Sequence, residues 1–190
     1  MDSYCLGRRA GISREIMIQS RQSDPGLLLR FDSIETFALI SDTHGLLRDS
    51  VTEALQQLDI GLIVHAGDVG SRSLLQRLET IAPVVAVRGN VDHELASLPP
   101  TELISVNGQL IYVLHDLNLL DLDPAITGIA MIVSGHSHQP KICRRRGVLY
   151  VNPGSIGPRR FHLPVSFAKV GCEEREFAVS LVYLEEEISG

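Results

Sequence analysis

The chain has 190 residues, of which 44% are hydrophobic and 21% are charged, and its formal net charge is −6. This length is enough for one domain with a complete core, and the acidic balance argues against broad nucleic-acid binding by charge alone. No apolar run approaches the ~18 residues that a membrane span needs. The three cysteines show no C-x-x-C spacing, which predicts reduced thiols and a cytoplasmic location.

The chain up to about Ile34 is rich in arginine, poor in acidic residues and without the apolar segment of a secretory signal. Two interpretations stay open for it. It could be an organelle transit peptide, or a flexible extension preceding a true start at Met17 or later. We expect residues 1–34 to form an N-terminal extension and residues 35–190 to form the domain. Within the extension, residues 27–31 predict a short strand or a helical turn.

Apolar runs and helical patterns alternate from residue 36 to residue 87. We predict strands at 36–41, 60–65 and 84–87, a helix at 51–58 capped by Asp49 or Ser50, and a helix from Ser71 or Ser73 to Ile81. A strand–helix–strand order of this kind predicts a parallel sheet with right-handed crossovers.

The second half of the chain reads as antiparallel. Asn107-Gly108 between two apolar runs is the strongest short hairpin signal. Further hairpins are predicted around the turn at Arg146-Gly147 and in the segment from 165 to 184, and a strand is predicted at 130–134. Together the two halves predict an α/β protein with two packed sheets.

Five apolar runs end in side chains that can bind a metal, namely Asp42 and His44, Asp68, Asn90, His115, and His136 and His138. Residues i and i+2 point the same way on an extended chain, so Asp42 and His44 should aim at one point. The ends of neighbouring strands meet in one crevice, where these ligands would converge. Imidazole, carboxylate and amide donors suit Mn²⁺, Fe²⁺, Zn²⁺, Ni²⁺ or Mg²⁺ better than thiolate-binding metals. Asp68, with two carboxylate oxygens, is the natural bridge between two ions.

These residues form ordered motifs: D-x-H at 42–44, G-D at 67–68, G-N at 89–90, a strand-end His115 and G-H-S-H at 135–138. In this order they resemble the motifs of the calcineurin-like metallophosphoesterases. The turn Asn152-Pro153-Gly154-Ser155 is typical of the small bacterial and archaeal phosphodiesterase branch. The resemblance runs from about residue 36 to residue 155 and implies a four-layer αββα sandwich with two mixed β-sheets.

The resemblance also implies two divalent metal ions, with Mn²⁺ a plausible choice. It assigns one ion to Asp42, His44, Asp68 and His138, and the other to Asp68, Asn90, His115 and His136. The implied reaction is hydrolysis of a small phosphoester, most naturally a phosphodiester, by a hydroxide that bridges the two ions. Asn90 would help to offset the charge that develops on the phosphoryl oxygens.

Two positions depart from the family pattern. Many members have a histidine proton donor directly after the asparagine, where this chain has Val91. The candidates for catalysis beside Asn90 are therefore Asp92, which keeps the acidic position, and His93, which lies one place further on. Asp116 replaces a common glycine, and it could either orient a metal-bound imidazole or cap a turn.

Several basic residues and one histidine lie outside the ligand set. Arg88 is the candidate for substrate binding, and Arg159 and Arg160 are weaker candidates. His65 lies inside an apolar run, which favours a buried structural histidine over a ligand. Residues 144–146 form a basic tip that is either solvated or able to bind phosphate.

Two other functions stay open. One is a non-catalytic scaffold of the same fold, like the eukaryotic retromer subunit, whose metal site is degraded. The other is a phosphomonoesterase or nuclease. Relatives are often homo-oligomers, but no residue in this sequence marks an interface, and there is no clear nucleic-acid surface.

Overall fold

The computed structural model describes residues 28–160, 162–173 and 176–184. Its strands are β1 (Leu29–Phe31), β2 (Thr36–Ile40), β3 (Ile63–His65), β4 (Val84–Ala86), β5 (Thr101–Val106), β6 (Gln109–Leu114), β7 (Ile129–Val133), β8 (Lys141–Arg145), β9 (Val148–Asn152), β10 (Val165–Glu173) and β11 (Glu176–Leu184). Its α-helices are α1 (Asp49–Gln57) and α2 (Arg72–Glu79). No helix among the described residues is long and apolar enough to span a membrane.

Two mixed sheets make up the fold, as predicted. The six-stranded sheet has the order β1-β5-β6-β7-β9-β8, and the five-stranded sheet has the order β11-β10-β2-β3-β4. Strands β2, β3 and β4 are parallel, whereas β10 joins β2 and β11 in antiparallel pairs. In the six-stranded sheet, β7 lies between β6 and β9 and is parallel to both. Three neighbouring strands in each sheet therefore send their carboxyl ends to one edge.

The main core lies between the sheets, and strand alternation explains how it forms. Along β2, Phe37 and Leu39 face the six-stranded sheet, while Ala38 and Ile40 face the helices. Both α1 and α2 pack their apolar faces on this outer side of the five-stranded sheet. The strand thus buries both of its faces.

The helix starts were only partly predicted. Ser71 caps α2, and its hydroxyl oxygen accepts a hydrogen bond from the Leu74 amide at 3.3 Å. The N-cap of α1 is Arg48, without a side-chain bond, so the prediction of Asp49 or Ser50 was wrong. Asp49 instead lies in the first turn, where a carboxylate interacts favourably with the helix dipole.

The outer face of the six-stranded sheet is covered by a thinner layer than the helical layer that the predicted αββα sandwich has there. A 3-10 turn at Leu117–Leu119 and the loop after it pack on Ile132 and Val148. No α-helix among the described residues covers this face. The face is closed by a loop that packs its leucines rather than by a helix.

The predicted hairpin turns are confirmed. Asn107 and Gly108 have φ values of 49° and 81°, and Arg146 and Gly147 have φ values of 48° and 84°. Positive φ at both central residues is the requirement of a type I′ turn, which matches the twist of the flanking strands.

Part of the predicted N-terminal extension is packed in the domain. Strand β1 pairs in parallel with β5, and Phe31 and Ile34 are buried in the core between the sheets. The Asn107 side chain accepts a hydrogen bond from the Ile34 amide at 3.1 Å and donates one to its carbonyl at 2.7 Å. The packed part of the chain therefore begins before residue 35. Residues 1–27 lie outside the described residues.

Candidate metal centre

The predicted ligands follow the carboxyl ends of five strands from both sheets. Asp42 and His44 follow β2, Asp68 follows β3, and Asn90 follows β4; His115 follows β6, and His136 and His138 follow β7. The structure brings all seven together at the edge where the two sheets meet. This is the place at which open α/β sheets hold their ligands.

One group consists of Asp42, His44 and His138. The two Nε2 atoms of His44 and His138 lie 3.3 Å apart, and their rings stack with centroids 5.3 Å apart. Oδ1 of Asp42 lies 3.2 Å from Nε2 of His138 and 4.0 Å from Nε2 of His44. One ligand atom from each residue therefore faces a common point.

A second group forms around Asp68 and His115. Oδ2 of Asp68 lies 3.3 Å from Nε2 of His115. Oδ1 of Asn90 lies 3.1 Å from the same nitrogen and 3.0 Å from Nδ1 of His136. Oδ2 of Asp68 is also 3.8 Å from Nε2 of His44, so this atom lies between the two groups.

The donor set fits divalent cations. Asp42 is fully buried, and no described residue donates a hydrogen bond to its Oδ1. Burying a charged carboxylate without a partner is costly, and a bound cation would remove that cost. Asp42 belongs to two sets of candidate ligands, one with His44 and His138 and one with Asp68 and His115, and in each set one ligand atom per residue lies within 4.8 Å of the others. This chemistry suits metals such as Mn²⁺, Fe²⁺, Ni²⁺ or Zn²⁺.

The backbone at the ligands is unusual. Five of the seven have a left-handed φ, namely Asp42 (56°), His44 (46°), Asp68 (55°), His136 (66°) and His138 (57°). Such residues cost about 1–3 kcal/mol each and cluster at functional sites. The strand β2 ends at Ile40, so the expectation that Asp42 and His44 share the direction of an extended chain was wrong. They converge because their amides donate to the Gly67 and Asp68 carbonyls, at 3.0 and 2.8 Å.

Asp68 and His115 polarise each other. Burial raises the pKa of Asp68, but hydrogen bonds from His115 and from the Val91 amide outweigh it and bring the pKa to about 2. Burial lowers the pKa of His115, but its hydrogen bonds to Asp68 and to the Ala66 carbonyl, together with the charges of Asp68 and Asp42, outweigh that effect and raise the pKa. Nδ1 of His115 lies 2.8 Å from the Ala66 carbonyl oxygen, which leaves Nε2 facing the site.

Asp92 does not lie among the ligands, although the sequence analysis placed it with the catalytic residues. Its buried carboxylate accepts hydrogen bonds from the amides of Val69 (3.0 Å), Gly70 (2.8 Å) and Gly89 (2.9 Å). These bonds join the loop after β3 to the loop after β4. Asp92 therefore positions the loops that carry Asp68 and Asn90.

His93 is exposed on a 3-10 turn at His93–Leu95. Among the described residues, those that line the two cavities beside the ligands do not include it. Its role as proton donor stays a prediction from the sequence alone, without a contact in the described part of the chain that supports it.

Two alternatives from the sequence are resolved by contacts. His65 is fully buried; it accepts from the Gly67 amide at 3.2 Å, and its Nε2 lies 2.9 Å from the Thr43 hydroxyl, so it is structural. Burial lowers its pKa to about 4. Asp116 caps the 3-10 turn that follows it, because its Oδ1 accepts from the Asn118 amide at 2.9 Å.

Two cavities open beside His136, and both are also lined by Asp116. The first, of about 360 Å³, is lined by Arg88, Asn90 and His115 and by the apolar residues Pro100, Leu114 and Leu119. The second, of about 260 Å³, is more polar, with Gln139, Lys141, Arg145 and Tyr150 in its lining. Arg88 therefore lines the same cavity as three candidate ligands, and its role in substrate binding stays a prediction.

Asn152 and Ser155 hold the ligand loops in place, a role that was not predicted from the sequence. Asn152 donates to the Gly135 carbonyl at 2.7 Å and to the Ser137 hydroxyl at 3.0 Å, which fixes the loop of His136. Ser155 donates to the Asp42 carbonyl at 2.8 Å. The turn Asn152–Ser155 thus supports candidate ligands from both sheets. The sequence of this turn, which is typical of the small phosphodiesterase branch, was the signal from which this role could have been inferred.

Arg160 was ranked as a weak candidate, but its Nη2 lies 3.3 Å from Nε2 of His44. Burial lowers the pKa of His44, and the charge of Arg160 lowers it further, whereas Asp68 opposes this shift. A guanidinium therefore lies in contact with a candidate ligand.

Two mixed sheets with a carboxylate–histidine cluster at their common edge define a metal-binding α/β protein. The family model of the calcineurin-like phosphoesterase superfamily domain matches residues 36–175. The chain belongs to this superfamily.

Relatives agree with this assignment. A probable metallophosphoesterase of Methanocaldococcus jannaschii is 34% identical over 161 residues, which cover 78% of this chain and 81% of that protein. The phosphodiesterase YfcE of Escherichia coli is 29% identical over 152 residues, covering 67% of this chain and 82% of that protein. The crystal structure of a conserved protein from Streptococcus pneumoniae superposes with a TM-score of 0.62 at 25% identity, covering 80% of this chain and 90% of that chain.

Proposed function

We propose that this protein is a phosphodiesterase that uses two divalent metal ions. The observation that carries the proposal is the position of Asp68 Oδ2, 3.8 Å from Nε2 of His44 and 3.3 Å from Nε2 of His115. One carboxylate oxygen thereby faces a histidine of each group. This is the arrangement that a shared ligand of a dinuclear centre requires.

The seven side chains have separate tasks in this proposal. One ion would be held by Asp42, His44, Asp68 and His138, and the other by Asp68, Asn90, His115 and His136. Such ions would supply a bound water with a pKa lowered to about 7 and would offset charge on the phosphoryl oxygens.

Asn90 has a second task. Its Oδ1 faces His115 and His136, while its Nδ2 makes no hydrogen bond to any described residue. That amide group is therefore able to donate to a phosphoryl oxygen. Arg88, which lines the same cavity, supplies a cation for the same purpose.

A diester fits the surroundings of the site better than a monoester. A phosphodiester has two ester groups to place, and two cavities of different character meet at His136. The apolar lining with Leu114 and Leu119 suits an aryl or alkyl group, and the lining with Lys141 and Arg145 suits a polar one. The phosphodiesterase name of one relative supports the same choice.

A metal-binding scaffold without activity is the second candidate. The observation in its favour is Val91, an exposed apolar side chain where many family members have a histidine. Turnover separates the two functions, because a scaffold would bind metal without hydrolysing esters.

The test is hydrolysis of bis-p-nitrophenyl phosphate and p-nitrophenyl phosphate by purified protein with added Mn²⁺. We expect the diester to be preferred, and Asp68→Asn to lower kcat/KM by at least about 100-fold, since even the partners of metal ligands contribute about 10- to 100-fold. Asp49→Asn, the same change at an exposed position of α1, is the matched control. Equal rates in the wild type and Asp68→Asn would overturn the proposal.

Four further expectations stay predictions: Mn²⁺ as the working metal, a cytoplasmic location, assembly into a homo-oligomer, and the division of the chain into an extension and a domain. Metal analysis after purification without added metal, and light scattering, address the first and the third.

A further inference from the structure

We propose that Arg160 binds the phosphoryl oxygens of the substrate and is the phosphate anchor on the His44 side of the metal centre. Arg88 would hold the phosphate from the side of His115, where it lines the cavity. The inference rests on the proposed function, because it names a residue that recognises phosphate at that same site.

The contact of Arg160 with the site is specific in its atoms. Nη2 of Arg160 lies 3.3 Å from Nε2 of His44, which is the nitrogen that faces the carboxylates of Asp42 and Asp68. Arg160 is exposed, so solvent and ligands have access to its guanidinium. A permanent cation is thus placed at the open rim of the candidate centre.

The fold holds this segment against the ligand loop. The Ile156 amide donates to the Ser41 carbonyl at 3.3 Å, and Ser155 donates to the Asp42 carbonyl at 2.8 Å. The Arg48 guanidinium donates to the carbonyls of Ile156, at 2.8 Å, and Gly157. Arg160 follows shortly after these anchors, so its proximity to His44 is a consequence of the fold.

Charge argues against a role for Arg160 in holding metal. A guanidinium beside a metal-binding nitrogen repels a divalent cation. The guanidinium and the metal ion can lie close together favourably only when an anion lies between them. Nε2 of His44 accepts from Arg160 through the lone pair that a metal would use. Metal binding would therefore release the guanidinium toward solvent at the point where a phosphate enters.

Arginine is suited to phosphate in particular. Its planar donors match two phosphate oxygens at once, and such charge-assisted pairs are stronger than neutral hydrogen bonds. Arg48 cannot take this role, since it is bonded to backbone carbonyls. The class of ligand assigned to Arg160 is thus a phosphate mono- or diester anion.

The experiment measures orthophosphate binding to Mn²⁺-loaded protein by calorimetry, in the wild type, Arg160→Gln and Arg160→Lys. We expect Arg160→Gln to weaken phosphate binding by about 10- to 100-fold, the value of a hydrogen bond to a charged group. Arg160→Lys should restore part of the affinity. The matched control is Arg72→Gln, the same change at an exposed position of α2.

Mn²⁺ affinity without phosphate supplies a second readout. It should be unchanged or tighter in Arg160→Gln, because a repelling cation is removed. The inference is overturned if phosphate affinity stays within about twofold of the wild type, a change far below that of a charged hydrogen bond, or if Mn²⁺ binding is lost. If phosphate binding depends on Arg160 but no diester is hydrolysed, the phosphodiesterase proposal fails and the anchor stands. If diesters are hydrolysed with no effect of Arg160→Gln on phosphate, the anchor alone fails.

Discussion

Nε2 of His138 lies 3.2 Å from Oδ1 of Asp42, although one residue follows β7 in the six-stranded sheet and the other follows β2 in the five-stranded sheet. The candidate centre therefore exists only where the two sheets pack together. The geometry of the centre depends on the loops that carry the candidate ligands. Small changes in these loops should abolish metal binding while the core stays folded.

Gly89 provides the sharpest test of this dependence. A Cβ at this position would lie 2.0 Å from Oδ1 of Asp68 and 2.2 Å from its backbone nitrogen. We expect Gly89→Ala to displace Asp68 and to lower kcat/KM for bis-p-nitrophenyl phosphate by about 100-fold, the size of effect that a displacement of about 1 Å produces. The circular dichroism spectrum should stay that of a folded protein.

Gly108→Ala is the matched control for this substitution. Gly108 has a φ of 81° in the hairpin turn, and nothing lies within 4 Å of an added Cβ. We expect a loss of about 1 kcal/mol in the free energy of unfolding from backbone strain, with metal binding unchanged. Similar losses of activity in both variants would show that stability, and not the position of Asp68, is being measured.

Asp92 should act on stability and metal binding together. Its carboxylate accepts three backbone hydrogen bonds, and Asp92→Asn replaces one acceptor oxygen with an NH₂ group facing amide donors. A buried donor left unsatisfied costs about 1–3 kcal/mol, so we expect a loss of that size in urea unfolding without metal. Weaker Mn²⁺ binding should accompany it. Unchanged stability with a lost activity would instead favour direct catalysis by Asp92.

His93 should behave differently. Because the side chain is exposed and lines neither cavity, we expect His93→Ala to retain kcat/KM within about threefold for aryl and alkyl diesters, well short of the 10²–10⁴ that a general acid contributes. The comparison uses bis-p-nitrophenyl phosphate and methyl 2′-deoxythymidine 5′-phosphate. A selective loss with the alkyl leaving group would establish His93 as the proton donor.

The parts of the fold that were predictable from sequence are those with a local cause. Asn107-Gly108 specifies a type I′ turn by its own φ preferences, and the apolar runs specify strands. Strand β1 was less clear, since an edge strand is fixed by its pairing with β5, which is distant in sequence. The cap of α1 was missed because neighbouring polar residues compete for one position.

In the candidate site, too, features with a local cause were predictable from sequence, and features that depend on distant contacts were not. Residue types at strand ends predicted which candidate ligands lie close together, but not their left-handed backbone, which depends on bonds such as that from the His44 amide to the Asp68 carbonyl. The amide contacts of Asp92 were not predicted because a carboxylate that binds backbone amides has the same sequence signal as a catalytic one. Arg160 reaches His44 through anchors on another loop, and no local pattern reveals that contact.

The buried His65 should make the stability of the fold depend on pH, independently of metal binding. Burial lowers its pKa from 6.5 in the unfolded chain to about 4 in the fold, where Thr43 and Gly67 contact the neutral ring. Between these two values the unfolded chain binds more protons than the folded protein, so stability rises with pH. The contribution is complete above pH 6.5 and is lost as the pH falls toward 4.

The measurement is urea unfolding in the presence of a chelator at pH 7.5 and pH 4.5. From the shift in pKa we expect His65 to account for about 2–3 kcal/mol of the stability lost between these conditions. His65→Gln should be less stable at pH 7.5 but lose less on acidification, because glutamine does not titrate. His162→Gln, at an exposed histidine, should follow the wild type. An equal loss in the wild type and His65→Gln would mean that other groups cause the acid sensitivity.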